Sequence, residues 1–344
     1  MTTKNWIERL QRFRLHEIAT PTGRVAWREA GGGPAVTHVL LHGIGSSSAN
    51  WLAQLEAAPD NPDCRVLAWD APGYGSSDAL AAPAPGAADY AQRMWDWLEA
   101  VAAQPDPTHP PITLVGHSLG CLVAASAAQQ MPERIRQLIL LSPAQGYAQA
   151  PATEREKKFQ DRLDLINRLG PAGMAQLRAA AMLGPNVDAG QVAQVQHAMA
   201  QVHPHGYAQA ARMLAGGDLQ ADLVRFAAHA ARSPQALQAG SVAPAPQRII
   251  VASGSADTIT PPSGCQHAAA HIHAPYLSLG AVGHACAIEA AGAVTRLIGL
   301  AGLASTPTAS NFPASTLPAS TLPALTLPAS KLLMPAVPTS KEAS

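Results

Sequence analysis

Gly116-His117-Ser118-Leu119-Gly120 holds a serine between two glycines, in the pattern G-x-S-x-G. The apolar run PITLVGH (111–117) leads into it and an alanine-rich segment follows. That is the strand–turn–helix setting in which a serine is presented as a nucleophile on a sharp turn. A serine hydroxyl is barely ionised at neutral pH, so acyl transfer needs a base beside it and an acid to orient the base. Two residues far along the chain have suitable settings. Asp257, in SADTITPP (255–262), comes directly after the apolar run QRIIVASG (247–254). His284, in YLSLGAVGHACAIE (276–289), follows a glycine-containing turn and is expected to open a helix. Their separation, 284 − 257 = 27, leaves room for one crossover helix (about 263–273) and one strand. A fourth element, His42-Gly43-Ile44-Gly45, ends the apolar run AVTHVLLHG (35–43), and its glycines let backbone come close to a reacting centre.

These residues need a scaffold, and the hydrophobic pattern supplies one. Five apolar runs read as buried strands: 35–43, 64–70, 111–117, 135–143 and 247–254. They are continuous, as strands covered on both faces are, and do not alternate. Helical patterns at about 48–58, 88–104 and 119–131 lie between them, which predicts parallel pairing through right-handed crossovers. An antiparallel hairpin is expected at the sheet edge within 15–31, turned at Pro21-Thr22-Gly23. The alternation then stops. From about 145 to 240 the chain reads as helix after helix (152–169, 171–183, 188–201, 204–215 and 219–232), broken at Gly170-Pro171, Gly184-Pro185 and Gly216-Gly217. The expected organisation is an α/β core over 15–144 and 245–304, an inserted all-helical cap over 145–244, and a tail over 305–344. Prolines at 313, 318, 323 and 328 repeat every five residues in that tail, which reads as disordered and low in complexity.

With strand, elbow, acid and base in this order, the chain resembles an α/β-hydrolase of the serine-nucleophile type over roughly residues 15 to 304. The resemblance implies a mostly parallel central sheet flanked by helices. It implies a triad of Ser118, Asp257 and His284, with Asp257 before Pro261-Pro262 similar to the family's acid loop and His284 similar to its G-H base. A turn or N-cap role is the alternative for Asp257. No carboxylate follows the preceding strand in ILLSPAQGY, the other place where an acid could stand. The resemblance also implies an oxyanion hole from the backbone amides of Ile44 and Leu119. His42, Gly43, Ser46 and Asn50 are weaker candidates for substrate contacts, and the serines and Asn50 could instead cap the helix that follows. Glu289, five residues past His284, is expected to be a solvated helix residue. His117 is expected to point away from the site. WDAPGYGSSD (69–78) resembles the family's D-x-P-G-x-G-x-S loop, and Asp70 in it reads as a turn carboxylate.

The resemblance implies hydrolysis through an acyl-enzyme, of a small carboxylic ester or a lactone. Cleavage of a carbon–carbon bond in aromatic ring-cleavage products is the alternative, and a non-catalytic ligand-binding protein on the same fold is the reading from another class. Haloalkane dehalogenases and epoxide hydrolases carry aspartate at the elbow, so Ser118 turns the reading away from both. The expected partners are a small ester, lactone or diketone substrate, with no metal and no organic cofactor, since the mechanism needs none. Lys plus Arg equals Asp plus Glu at 23 each, which gives no basic stripe for nucleic acid. No run of 18 apolar residues suggests a membrane span, and MTTKNWIERLQRFRLHE has no apolar core of a secretory signal. Cys64, Cys121, Cys265 and Cys286 are scattered without C-x-x-C spacing, which points to packing thiols and a cytoplasmic location.

Overall fold

A computed structural model describes residues 3–58, 63–102, 110–230 and 249–300. Eight strands form one sheet: β1 (Leu15–Ile18), β2 (Val25–Ala30), β3 (His38–Leu41), β4 (Val66–Asp70), β5 (Ile112–His117), β6 (Ile135–Leu141), β7 (Ile249–Ser253) and β8 (Tyr276–Ser278). Their order across the sheet is β1-β2-β4-β3-β5-β6-β7-β8. The β1–β2 hairpin is antiparallel and joins β4 antiparallel, and every other pair is parallel. This is an α/β-hydrolase sheet, as expected.

The continuous apolar runs have a simple cause. Alternate residues of each central strand enter two different cores. Val39, Leu41, Leu114, Leu138 and Val251 face one layer. That layer contains helices α3 (Ala87–Val101) and α4 (Gly120–Gln130). Leu40, Val66, Val115, Ile139 and Ala252 face the other. There they meet α2 (Leu52–Ala57), which follows a 3-10 turn over Ser48–Trp51, and two short helices near the end of the described chain. Both faces are dry, so no position along these strands needs to be polar.

Between β6 and β7 lie α5 (Ala152–Arg178), α6 (Ala189–Ala200), α7 (Pro204–Gly216) and α8 (Leu219–Ala230). The expected break at Gly170-Pro171 is a kink inside α5, where Gly170 has φ 66°. α8 packs directly on α4, with Leu219, Leu223 and Phe226 fully buried in the main core. α5 packs on both α6 and α7. After β7 come α9 (Pro262–His271), β8, α10 (Cys286–Glu289) and α11 (Ala291–Leu297). The expected tail over 305–344 lies outside the described residues, as do residues 231–244 of the expected cap.

One element was not expected. Helix α1 (Thr3–Gln11) precedes the hairpin. Trp6 and Leu10, one turn apart, pack on Ala49 and Leu52, and the Trp6 ring meets His197 of α6 edge-on at 5.1 Å. Two apolar anchors in nine mostly polar residues give little signal along the chain. The partners that hold this helix are about forty residues or more away. Among the described residues no helix is long and apolar enough to cross a membrane.

Candidate active site

The turn from β5 into α4 carries Ser118 in the left-handed region, at φ 53°. A non-glycine residue there is strained, and the strain is held by neighbours. The Ser118 amide donates to the Leu141 carbonyl at 2.9 Å, and the Ser118 carbonyl accepts from Cys121 and Ala144. The flanking glycines are required by contact. A Cβ on Gly116 would come within 2.7 Å of the Cys121 Cα, and one on Gly120 would run into the Leu41 and His42 carbonyls. The spacing of the motif is therefore set by how closely the turn fits between β3 and α4. Ser118 is 6% exposed, and α4 begins two residues later, with its N-terminal end favouring negative charge nearby.

Asp257 and His284 come together as expected. Nδ1 of His284 donates to Oδ2 of Asp257 at 2.9 Å, with both residues buried. Oδ1 of Asp257 accepts from the amides of Ile259 and Thr260, each at 2.9 Å. Burial pushes the Asp257 carboxyl up, but His284, the Thr260 amide and the Ser142 hydroxyl outweigh it and hold it down at about 2. An ionised Asp257 can only accept, so Nδ1 carries the proton, and in the neutral ring Nε2 is the nitrogen with the lone pair. Among the described residues that buried Nε2 has no hydrogen-bond partner. The Thr260 hydroxyl stands within reach of Asp257 Oδ2 at 2.9 Å, the Ser142 carbonyl at 3.0 Å and His284 Nδ1 at 3.1 Å. It has one hydrogen and two oxygen acceptors, so it acts as a support for the acid loop.

His117 has a more specific place than the sequence suggested. Its Nε2 donates to the His284 backbone carbonyl at 2.7 Å, and its ring lies 5.0 Å from the His284 ring. Burial and the neighbouring His284 depress its pKa to about 3. A neutral His117 therefore fastens the loop that carries the base to the end of the strand that carries the serine. Glu289 departs outright from the expected solvated role. Its carboxylate accepts from the Gly184 amide at 2.7 Å and the Gly283 amide at 3.0 Å, and Ala285 donates to the Met182 carbonyl at 2.9 Å. The end of the first part of the helical segment is thus tied to the backbone on both sides of His284. The fixed offset of five residues from the base was the signal available in the sequence. What it could not give was the distant amide of Gly184.

The His42–Gly45 loop passes against Ser118. A Cβ on Gly43 would lie 2.8 Å from the Ser118 Cβ and 3.3 Å from its Oγ. His42 does not face this space. Its Nδ1 donates to the Gly43 carbonyl at 2.8 Å, and its Nε2 accepts from the Ala71 amide at 3.0 Å. Burial lowers its pKa, against the opposing pull of Asp70 and the Gly43 carbonyl, so the ring serves as a neutral brace. Asp70 accepts from the Ser48 amide at 2.7 Å and so holds the next turn of the same loop.

Ser118, His284 and Ile44 line one small cavity of about 20 Å³. Gly43, Ser46 and Asn50 line it too, so three of the four weaker contact candidates reach the same space. The helical segment contributes Met182, Gln194, Val195, Ala198 and Met199 to the opposite wall. No Lys, Arg, Asp or Glu is among the described residues around it. The thiols near the site are no rivals to Ser118: burial pushes Cys286 up to about 12 and Cys265 up to about 11, and raises Cys121 well above its ordinary value.

A family model for the alpha/beta hydrolase fold matches residues 39–290, and the chain belongs to that family. Over 150 residues it is 37% identical to an uncharacterized protein of Mycobacterium tuberculosis, a match covering 39% of each. Over 142 residues it is 32% identical to a poly(3-hydroxyalkanoate) depolymerase of Ectopseudomonas oleovorans, covering 40% of this chain and 46% of the relative. The chain thus spans less than half the length of these curated relatives. Among solved structures, it resembles a thermophilic esterase from Thermogutta terrifontis with a TM-score of 0.65 at 21% identity, covering 83% of this chain and 96% of that one. It resembles an enol-lactonase from Burkholderia xenovorans with a TM-score of 0.63 at 19% identity, covering 82% and 98%. At these identities the solved structures establish the fold.

Proposed function

We propose that the protein is a serine hydrolase that cleaves a neutral carboxylic ester or lactone through an acyl-enzyme. The observation that carries this reading is a pairing. His284 is held by an ionised Asp257 with its Nε2 unpartnered, in the wall of the same cavity as a strained Ser118. In this reading Nε2 takes the Ser118 proton as Oγ attacks the scissile carbonyl. The amides of Ile44 and Leu119 stabilise the oxyanion. Asp257 stabilises the imidazolium, which then protonates the leaving alkoxide, and water bound at Nε2 hydrolyses the acyl-enzyme by the same route. No metal or organic cofactor enters any step. The helices between β6 and β7 act as a cap that selects the substrate.

The cavity wall favours neutral substrates. Products of aromatic ring cleavage carry a carboxylate, and burying one without a cation nearby costs several kcal/mol. No lysine or arginine lines this space among the described residues, which favours ester or lactone cleavage over carbon–carbon hydrolysis. The four cysteines are free thiols, which suits a reducing compartment such as the cytoplasm. The test is a substrate panel of a chromogenic short ester, a neutral lactone and a ring-fission product, run on wild type and Ser118→Ala. Ester or lactone turnover should fall by roughly 10⁴-fold or more in Ser118→Ala. Near-normal turnover by that variant would overturn the triad. Folded wild type that a fluorophosphonate fails to label at Ser118 would favour a ligand-binding role.

A further inference from the structure

The space beside Ser118 is too small for a substrate. About 20 Å³ holds roughly one water molecule. Directly behind one wall lies a second cavity of about 210 Å³. It is bordered by α1, the turn into α2, the start of α6 and the pair α10–α11, and it is open to solvent on one side. The partition between the two spaces is made by Asn50, Gln194 and Ile288, which line both.

The chemistry of the larger space is readable from what its polar groups already do. Arg9 is paired with Glu56. Asp188 and Gln191 satisfy each other's amides as the cap of α6, and the Gln191 side chain also donates to the Ile288 carbonyl. Gln194 donates to the Ala49 carbonyl at 3.1 Å. What remains is the Trp6 indole N–H, buried without a partner among the described residues, and apolar surface from Trp6, Leu52, Ala53, Ala287 and Ala291. In the partition, Gln194 is tied down, whereas the Asn50 amide nitrogen is buried with no partner. An unsatisfied buried amide costs about 1–3 kcal/mol, so Asn50 is the partition residue that turns aside at least cost.

We infer that this second cavity is the chain-binding subsite of the enzyme. The apolar chain of a neutral, medium-length ester passes the Asn50–Gln194–Ile288 partition while its scissile carbonyl sits at Ser118. The inference rests on the catalytic reading above. It also gives α1 a function, because Trp6 forms part of the cavity wall.

Two matched series of 4-nitrophenyl and alkyl esters test it, one lengthening the acyl group from two to ten carbons and one lengthening the alcohol. In wild type, kcat/KM should rise by about three- to fourfold per methylene in one series, then level off when the cavity is full. The series that rises assigns the chain to the acyl or the alcohol side. Ala53→Phe and, from the opposite wall, Ala291→Leu should shorten the rise and lower its plateau about tenfold or more relative to the acetyl ester. Flat or falling profiles in both wild-type series overturn the inference, as does a rise that neither variant alters in folded protein. If no ester is turned over, calorimetry with N-alkylacetamides of the same lengths still reads the cavity. Affinity rising with length would uphold the subsite while the hydrolase reading fails, and no dependence on length would remove both.

Discussion

The two sides of the catalytic cavity are built differently. On the sheet side, nearly every polar group near the chemistry has a fixed partner. His42 is held by Gly43 and Ala71, Asp70 by Ser48, Asp257 by two amides and His284, and His117 by the His284 carbonyl. On the helical side the wall is Gln194, tied to the Ala49 carbonyl, and the side chains of Met182, Val195, Ala198 and Met199, which offer no hydrogen bonds and, in the methionines, adaptable shape. The rigid side fits a reaction that tolerates little displacement, since small misplacements of reacting groups cost orders of magnitude. The soft side fits selection among substrates that share one reacting bond. A change on the sheet side should therefore alter rate or fold, and a change on the helical side should alter choice.

The largest effect is expected from Asp257→Asn. The amide cannot stabilise the imidazolium and favours the wrong tautomer of His284, so kcat should fall about 10⁴-fold with the fold intact. A fall of less than tenfold in ester turnover would show that the sheet side is not tuned as described. The next test reads stability. His117 binds its proton at about 3 in the folded chain, against an ordinary value of 6.5. Between those values the unfolded chain binds more protons than the native one, so stability rises with pH there. His117 therefore contributes fully above about pH 6.5, and the contribution is lost as the pH falls toward 3, on the order of several kcal/mol. Asp257, held at about 2 against 3.8, adds a further loss of stability at still lower pH. His117→Gln keeps a donor near Nε2 without the titrating ring. Its urea midpoint should decline less steeply than that of wild type from pH 6.5 to 4.

The same contrast explains what could be read from the sequence. The proposed triad members Ser118, Asp257 and His284 could be picked out because each follows a strand, and strands announce themselves by continuous apolar runs. Gly116 and Gly120 were readable because contact leaves no room for a side chain at either position. The supports were not. His117, His42 and Glu289 act through backbone groups at 284, 71 and 184, and no local pattern encodes a bond between a side chain and a backbone group 167, 29 or 105 residues away. α1 was missed for the same reason, since its core contacts among the described side chains are Trp6 and Leu10, with Ile7 packed beside them. The helices between β6 and β7 could be picked out by their glycine and proline breaks, but which of their faces line the cavity depended on packing. Met182 and Met199 line it, while Tyr207, Met213, Leu214 and Phe226 are buried in the main core.

Glu289 is where the two sides meet, and it gives the intermediate effect. Glu289→Gln keeps the size but trades a charged acceptor of two amides for a neutral one, which should cost about 1–3 kcal/mol in stability. Because the amides of Gly184 and Gly283 flank the cap joint and the base, kcat should fall about tenfold as well, a coupling no purely structural surface bond would produce. Stability lost with kcat unchanged would separate the joint from the base. The smallest effect on rate belongs to the helical side. Met199 sits over the oxyanion loop, where a Cβ on Gly45 would lie 3.6 Å from its Cε. Met199→Leu conserves volume and should cost less than about 1.5 kcal/mol in stability. The branched side chain cannot flex away from a bulky acyl group as the thioether can, so the ratio of kcat/KM for a branched over a linear acyl ester should fall a fewfold, about what one misplaced methyl group is worth. The acetyl ester is the reference in that comparison. If Met199→Leu instead lowers turnover of all esters equally, the helical wall is holding the reacting groups in place, and the division between a side that reacts and a side that selects does not stand.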